Sequence, residues 1–173
     1  MPIDELVNQR VLQPPTMLPW GDDGPRERLT PDYKSRAVQG YADDSEPIGQ
    51  LGEQTSYYHP GTGQMYSSPR DMMAFLTANL DELPVDSSLH DAMALTHRNV
   101  FRIDPRNWQA LAWEVSGKQP TIIEKYGGLN NASAYIGMMP TRKLGIVILS
   151  NRGNQYPNEP GRRILVELAA ADN

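Results

Sequence analysis

Hydrophobic positions change their period along the chain, and the changes mark its elements. From Ile3 to Leu12 the apolar residues Ile3, Leu6, Val7 and Val11 fall on one helical stripe, so an amphipathic helix is expected there. Gln13-Pro14-Pro15 stops it. A polar stretch rich in Pro and Gly follows to about Pro60, with a short strand expected at Ala37–Tyr41. So long a stretch is either a functional wall or a segment that leans on other structure. Helical spacing returns at Ser67-Ser68-Pro69-Arg70-Asp71, where a hydroxyl cap, Pro at the first helical position and an acid three residues after the cap specify a helix start. Met72, Met73, Phe75, Leu76 and Leu80 supply its apolar face. A second helix is expected from Ser87 or Ser88 to about His97, with Leu89, Ala92, Met93 and Thr96 on one side.

The last third alternates instead. Gln109–Val115, Thr121–Tyr126, Ala132–Met139 and Leu144–Ser150 read as four strands, with a short hairpin at Pro140-Thr141-Arg142-Lys143. Leu144–Leu149 is nearly continuous aliphatic, the pattern of a strand covered on both faces. A closing helix is expected over Asn158–Ala171, burying Ile164, Leu165, Leu168 and Ala169. The order implies an α+β fold with an antiparallel sheet packed by helices. The whole of 1–173 reads as a single partial domain, helices and long loops over 1–107 and four antiparallel strands plus a helix over 108–173.

Composition narrows the function. The 173 residues carry 16 Lys+Arg against 21 Asp+Glu, a net charge of −5, which argues against a phosphate-binding surface and hence a nucleic-acid partner. With no Cys, disulfides, thiol catalysis and Cys-based zinc sites are excluded. No apolar run approaches the roughly 20 residues of a membrane span. The start, MPIDELVNQR, has no cationic region followed by an apolar stretch, so no secretory signal is expected in this chain.

Candidate chemistry is sparse. His59, His90 and His97 contain no His-Glu-x-x-His pair, and although His90 and His97 can share a helix face, a third ligand is not evident, so no metal is expected. No phosphate-binding Gly loop occurs, and no other cofactor motif points to a cofactor. Gly-x-Ser-x-Gly is absent, and Ser-x-x-Lys fails at all ten serines. Ser67, for example, is followed at the third position by Arg70, whose guanidinium cannot serve as a base near neutral pH. What remains is Glu124-Lys125-Tyr126-Gly127-Gly128 on an expected strand. A Lys-x-Gly there suits a ligand wall, the cation attracting a carboxylate and the Gly opening the backbone; alone, it is also an ordinary strand end.

Several segments, taken in order, resemble the C-terminal half of a class C serine β-lactamase, in the wider family of penicillin-binding D-alanyl-D-alanine peptidases and esterases. They are Arg10-Val11-Leu12-Gln13-Pro14, Gln39-Gly40-Tyr41, Ser67 to Met72, Ala78-Asn79-Leu80, Thr96-His97-Arg98, Leu111-Ala112-Trp113-Glu114, Lys125-Tyr126-Gly127, Ala134-Tyr135-Ile136, Leu144 to Leu149 and Tyr156-Pro157-Asn158. The resemblance implies the β-lactamase/D-Ala-peptidase fold and a periplasmic setting. In that family a Ser-x-x-Lys serine attacks the acyl carbonyl and a Tyr-x-Asn tyrosine moves protons, both upstream of the matched part. Tyr156-Pro157-Asn158 matches a later segment and is not that tyrosine.

Lys125-Tyr126-Gly127 matches the family's Lys-Thr-Gly strand. By that match Lys125 supplies positive charge beside the substrate carboxylate, and the Gly128 N–H is an oxyanion-hole donor. The strand edge pairs with the substrate amide, and Asn158 helps hold the carboxylate. The expected catalytic residues are thus Lys125 and Gly128, and the substrate-binding ones Lys125, Tyr126, Gly127 and Asn158. The chain also departs from the family. Tyr126 puts a ring where a small hydroxyl residue is usual, Gly128-Leu129-Asn130-Asn131 lacks the usual hydroxyls, and the segment from Trp113 to Lys125 is short. Glu124 adds a negative charge expected to offset Lys125. These features imply the substrate-binding half of a serine acyl hydrolase, inactive alone, or a non-enzymatic relative binding peptide-like ligands or a partner chain. The expected partners are a β-lactam or peptide-like small molecule, an N-terminal half, or a second copy, because one strand edge and part of the apolar face of 144–149 would otherwise stand uncovered.

Overall fold

The computed structural model of the chain describes residues 3–14, 35–42, 44–50, 66–117 and 120–171; most of the polar stretch before Pro60, and His59, lie outside them. Helix α1 (Ile3–Val7) runs directly into a π-helical turn at Asn8–Leu12. That wider turn shifts the helix phase, so the expected stripe rotates: Leu12 is buried and Leu6 exposed. Strands β1 (Gln39–Tyr41) and β2 (Pro47–Gln50) pair antiparallel as a small sheet of their own.

Helix α2 (Pro69–Asn79) starts as its residues dictate. Ser68 is the N-cap, its Oγ accepting from Asp71 N at 3.2 Å, with Pro69 in the first turn. Its far end is closed by Lys143, whose Nζ donates to Leu80 O and lies 3.5 Å from Glu82 Oε1. Leu76 and Leu80 are buried, whereas Met73 faces solvent. Helix α3 (Ser87–Thr96) is capped by Asp86 rather than by either serine, its Oδ1 accepting from Leu89 N at 3.1 Å.

Six strands, not four, form the main sheet in the order β3-β4-β5-β6-β7-β8. They are β3 (Phe101–Arg102), β4 (Asn107–Gln109), β5 (Glu114–Ser116), β6 (Ile122–Leu129), β7 (Ala132–Met139) and β8 (Leu144–Ser150), antiparallel throughout. The expected single strand Gln109–Val115 is instead two strands folded back on each other, Gln109 opposite Glu114. The reversal at Ala110–Trp113 puts Ala112 at φ +64°, a left-handed position that the sequence does not advertise with Gly or Asn. The β7–β8 hairpin forms at Pro140–Arg142 as expected, with Lys143 left-handed.

Alternation along the strands sends side chains to two cores. On one face Ile123, Ile136, Met138, Val115 and Trp113 pack with Leu76 and Leu80 of α2. On the other, Ile122 and Met139 meet Leu165 and Ala169 of α4 (Asn158–Ala171), with Leu144 and Ile146 alongside. Each such fully buried side chain contributes roughly 1.5–3 kcal/mol. Two expectations fail here. No residue of β8 is buried, because β8 is the edge of the sheet rather than an inner strand. On α4 the buried stripe is Gly161, Leu165 and Ala169, while Ile164 and Leu168 are exposed.

Candidate functional site

Strand β6 changes character at its middle. Ile122, Ile123 and Glu124 are paired on both sides, to β5 through Ser116, Val115 and Glu114 and to β7. Beyond Glu124 only β7 continues, so among the described residues Lys125–Leu129 has no strand on its other edge. That half is exposed or half-exposed, whereas residues 122–124 are buried. An open edge presents a row of backbone donors and acceptors to any extended ligand.

Glu124 is 1% exposed and fully engaged. Its carboxylate accepts from Arg162 Nε at 2.7 and 2.8 Å, from Tyr135 OH at 2.8 Å and from Ser116 Oγ at 3.0 Å. Four elements thus converge on one buried charge, which is paired as burial requires. Burial, and then the Glu124 charge, push the Tyr135 hydroxyl well above its ordinary pKa, so it stays a donor. The hydrogen bond to Glu124 likewise raises the Arg162 guanidinium. The Tyr135 ring reaches this position because two neighbours lack a side chain: a Cβ on Gly137 would lie 2.2 Å from its OH, and one on Gly161 2.2 Å from its Cε1. A cavity of about 210 Å³ adjoins the network, lined by Trp108, Glu114, Ser116, Glu124 and Arg162 among others.

This geometry corrects the expected role of Glu124. It shares a face with Ile122 and belongs to Arg162, not to Lys125, which leaves the strand on the opposite face. The partner of Lys125 is Glu114, Nζ to Oε1 at 3.2 Å, with the lysine side chain half-exposed. Residue type and spacing alone do not group Arg162, Tyr135 and Ser116 as a polar cluster. The strand period was the available signal, since it groups Glu124 with Ile122 beneath α4.

The other expected residues fall along the open edge or near it. Tyr126 is 41% exposed and stands across from Tyr135, on the face of Glu124 rather than that of Lys125. A Cβ at Gly127 would meet nothing within 4 Å, so the backbone there is open to approach. Gly128 is paired with Ser133. Ser133 Oγ in turn donates to Arg152 O at 2.9 Å and accepts from Gln155 N at 3.0 Å, tying the segment before α4 to the strand end that carries Gly128. Asn158 opens α4 half-buried, and its Oδ1 is buried without a hydrogen-bond partner. The structure therefore lines up Lys125, Gly127 and Gly128 on one edge and holds Asn158 at the head of the neighbouring helix.

Two of the histidines have structural surroundings. His97 Nε2 lies 3.0 Å from Asn79 Oδ1 and its ring meets Trp113 edge-on at 5.8 Å; burial holds its pKa below the usual histidine value. His90 sits between Asp81 and Asp91 at 3.1 and 3.2 Å. Among the described residues no group of three or more His, Cys, Asp or Glu side chains can hold a metal ion, and no helix is long and apolar enough to cross a membrane.

Comparison with known proteins places this arrangement. The Beta-lactamase family profile matches residues 1–171. A β-lactamase of Lysobacter lactamgenus is 27% identical over 147 residues, spanning 66% of this chain and 37% of that protein. One of Yersinia enterocolitica is 26% identical over 163 residues, spanning 72% of this chain and 39% of that protein. Among solved structures, D-alanine carboxypeptidase AmpC from Burkholderia cenocepacia superposes with a TM-score of 0.75 at 22% identity, covering 96% of this chain and 56% of that one. A class C β-lactamase does so with a TM-score of 0.68 at 19% identity, covering 88% and 47%. The chain thus spans little more than a third of these sequence relatives and about half of the solved chains.

Proposed function

Because the chain belongs to the β-lactamase family, we propose that its open β6 edge is the ligand wall of a serine acyl hydrolase, built to hold a β-lactam or a D-Ala-ended peptide without attacking it. The observation that carries this reading is the edge itself: Lys125–Leu129 is unpaired on one side among the described residues, bears the lysine that matches the family's Lys-Thr-Gly strand, and is open at Gly127. In this reading a peptide-like amide adds to the edge as a strand. Lys125, turned away from Glu114, meets the ligand carboxylate, and Asn158 with its unused Oδ1 orients the far end. The Gly128 N–H is the donor that an acyl oxygen would find.

Chemistry needs a nucleophile with a base in reach, and no serine of the 173 residues carries the Ser-x-x-Lys arrangement. The chain alone is therefore a binder, and turnover requires the nucleophile to be supplied from a further segment or a second polypeptide. The Lys125–Glu114 ion pair fits this, since it holds the lysine against its own chain when no ligand is bound. Incubation with a fluorescent penicillin, followed by intact-mass measurement and calorimetry, tests the reading. Reversible binding without a covalent adduct is expected, weakened about tenfold by Lys125→Ala through loss of one charge-assisted contact. A stoichiometric adduct on any serine, or binding indifferent to Lys125→Ala, overturns it.

A further inference from the structure

Four charges stand together where β6 passes from its buried half to its open one. Glu114 on β5 lies directly across from Glu124 on β6, and two facing carboxylates repel unless cations intervene. Each has its own cation. Arg162 holds Glu124, through Nε at 2.7 and 2.8 Å and Nη2 at 2.7 Å, and Lys125 holds Glu114 at 3.2 Å. The group is neutral as a whole.

The two pairs differ in how firmly they are made. Glu124 is 1% exposed and also accepts from Tyr135 and Ser116, so parting it from Arg162 strands a buried charge. The side chains of Glu114 and Lys125 are 30% and 48% exposed and meet at one contact, so they separate at little cost. Arg162 is within reach of both carboxylates. It lines the 210 Å³ hollow together with Glu114, Ser116 and Glu124. The hydrogen bond to Glu124 is the first cause that raises its guanidinium, and the charge of Glu114 adds to it. Glu124 engages Nε and Nη2, and a guanidinium carries further donors on Nη1 for a second carboxylate.

We propose that Arg162 is the second seat of Glu114: when Lys125 turns to a ligand carboxylate, Glu114 crosses the hollow to the Arg162 guanidinium, and the lysine is released without leaving two facing carboxylates uncompensated. Arg162 is thus a positioning residue that acts on Lys125 through Glu114, and the wall favours a ligand with a free carboxylate over its neutral ester. The inference rests on the ligand-wall reading only for what draws Lys125 away. The exchange itself involves four side chains of the described residues and no other segment.

Two measurements on the full chain test it. The first needs no ligand. In NMR spectra the Arg162 Nε–H signal, assigned by its loss in Arg162→Lys, is expected to shift in Lys125→Ala, where Glu114 has Arg162 to turn to. It is expected to return to its parent position in Lys125→Ala/Glu114→Gln. Both changes are at partly exposed residues, so the fold is kept. A signal unmoved by Lys125→Ala, or moved as far when Glu114 is also replaced, overturns the exchange.

The second measurement compares titrations with benzylpenicillin and with its methyl ester. The paired substitution Glu124→Gln/Arg162→Gln keeps the net charge and puts a neutral hydrogen-bonding pair in place of the ion pair. It is expected to weaken penicillin about tenfold through loss of one charge-assisted contact and to leave the ester unchanged. Adding Glu114→Gln is expected to restore penicillin, because Lys125 then has no partner to be released from. A clamp that is only structural would weaken both compounds alike and ignore Glu114→Gln, and that result overturns the proposal. A parent chain that binds neither compound, while its Arg162 signal still follows Lys125→Ala, sinks the ligand reading and leaves the exchange standing.

Discussion

The two halves of β6 are adjacent in sequence and opposite in design. Up to Glu124 the strand is paired on both edges, buried, and clamped by Arg162, Tyr135 and Ser116. From Lys125 onward one edge has no described strand against it and the side chains meet solvent. The first half spends its hydrogen-bonding capacity on the fold; the second keeps its own for something outside. One strand thus acts as anchor and as contact surface, and the anchor fixes where the surface stands.

That contrast is open to attack at several points. The largest effect is expected from Glu124→Ala, which leaves Arg162 and Tyr135 facing a buried void; a loss of about 2–4 kcal/mol in urea unfolding is expected, toward the low end because Arg162 is partly solvated. A loss below about 1 kcal/mol would show that the clamp does not anchor the strand. Next comes Gly161→Ala, whose methyl would lie 2.2 Å from Tyr135. The gain in helix propensity of about 1 kcal/mol is outweighed by overpacking of about 1–3 kcal/mol, and Tyr135 fluorescence should report the displaced ring.

A smaller effect concerns pH on the α2 side of the sheet. Burial lowers the folded-state pKa of His97, with Asp81 opposing. The unfolded chain then takes up the proton first, so this contribution to stability is complete above the free histidine pKa of about 6.5 and is lost as pH falls towards the lower folded value. His97→Gln should flatten that limb of the stability–pH curve. The smallest change is expected from Lys125→Ala, within about 0.5 kcal/mol of the parent in the same urea assay, while on the proposed reading its ligand binding weakens about tenfold. A Lys125 variant that unfolds as readily as Glu124→Ala would erase the distinction between the two halves.

Local chemistry made part of this legible in the sequence. Ser68-Pro69-x-Asp71 specifies a helix start within four residues, and α2 begins there. Pro140 to Lys143 marks a hairpin by turn chemistry alone, and the apolar runs on either side of it read as the strands β7 and β8. What escaped depends on distant partners or on backbone conformation. The fold-back between β4 and β5 rests on Ala112 at positive φ, a conformation no residue type there announces. Helical spacing makes the α4 stripe too wide, because Ile164 and Leu168 are apolar yet flank, rather than face, the sheet. Adjacency in sequence pairs Glu124 with Lys125, whereas its partner, Arg162, lies 38 positions away. The open edge around Lys125 was reached only through resemblance, because periodicity does not reveal where a neighbouring strand stops.

The tether between Gln39 and Asn151 has a consequence for the order of assembly. Asn151 Nδ2 donates to Gln39 O across 112 positions, and Tyr41 exchanges backbone hydrogen bonds with Asn151 and Gly153. The six-stranded sheet, by contrast, joins each strand to its immediate successor, so its loops are short and cheap to close. During synthesis β1 emerges 112 positions ahead of Asn151 and waits for it, while the strands of the large sheet can pair as each follows the last. β1 thereby docks after strands that follow it in the chain.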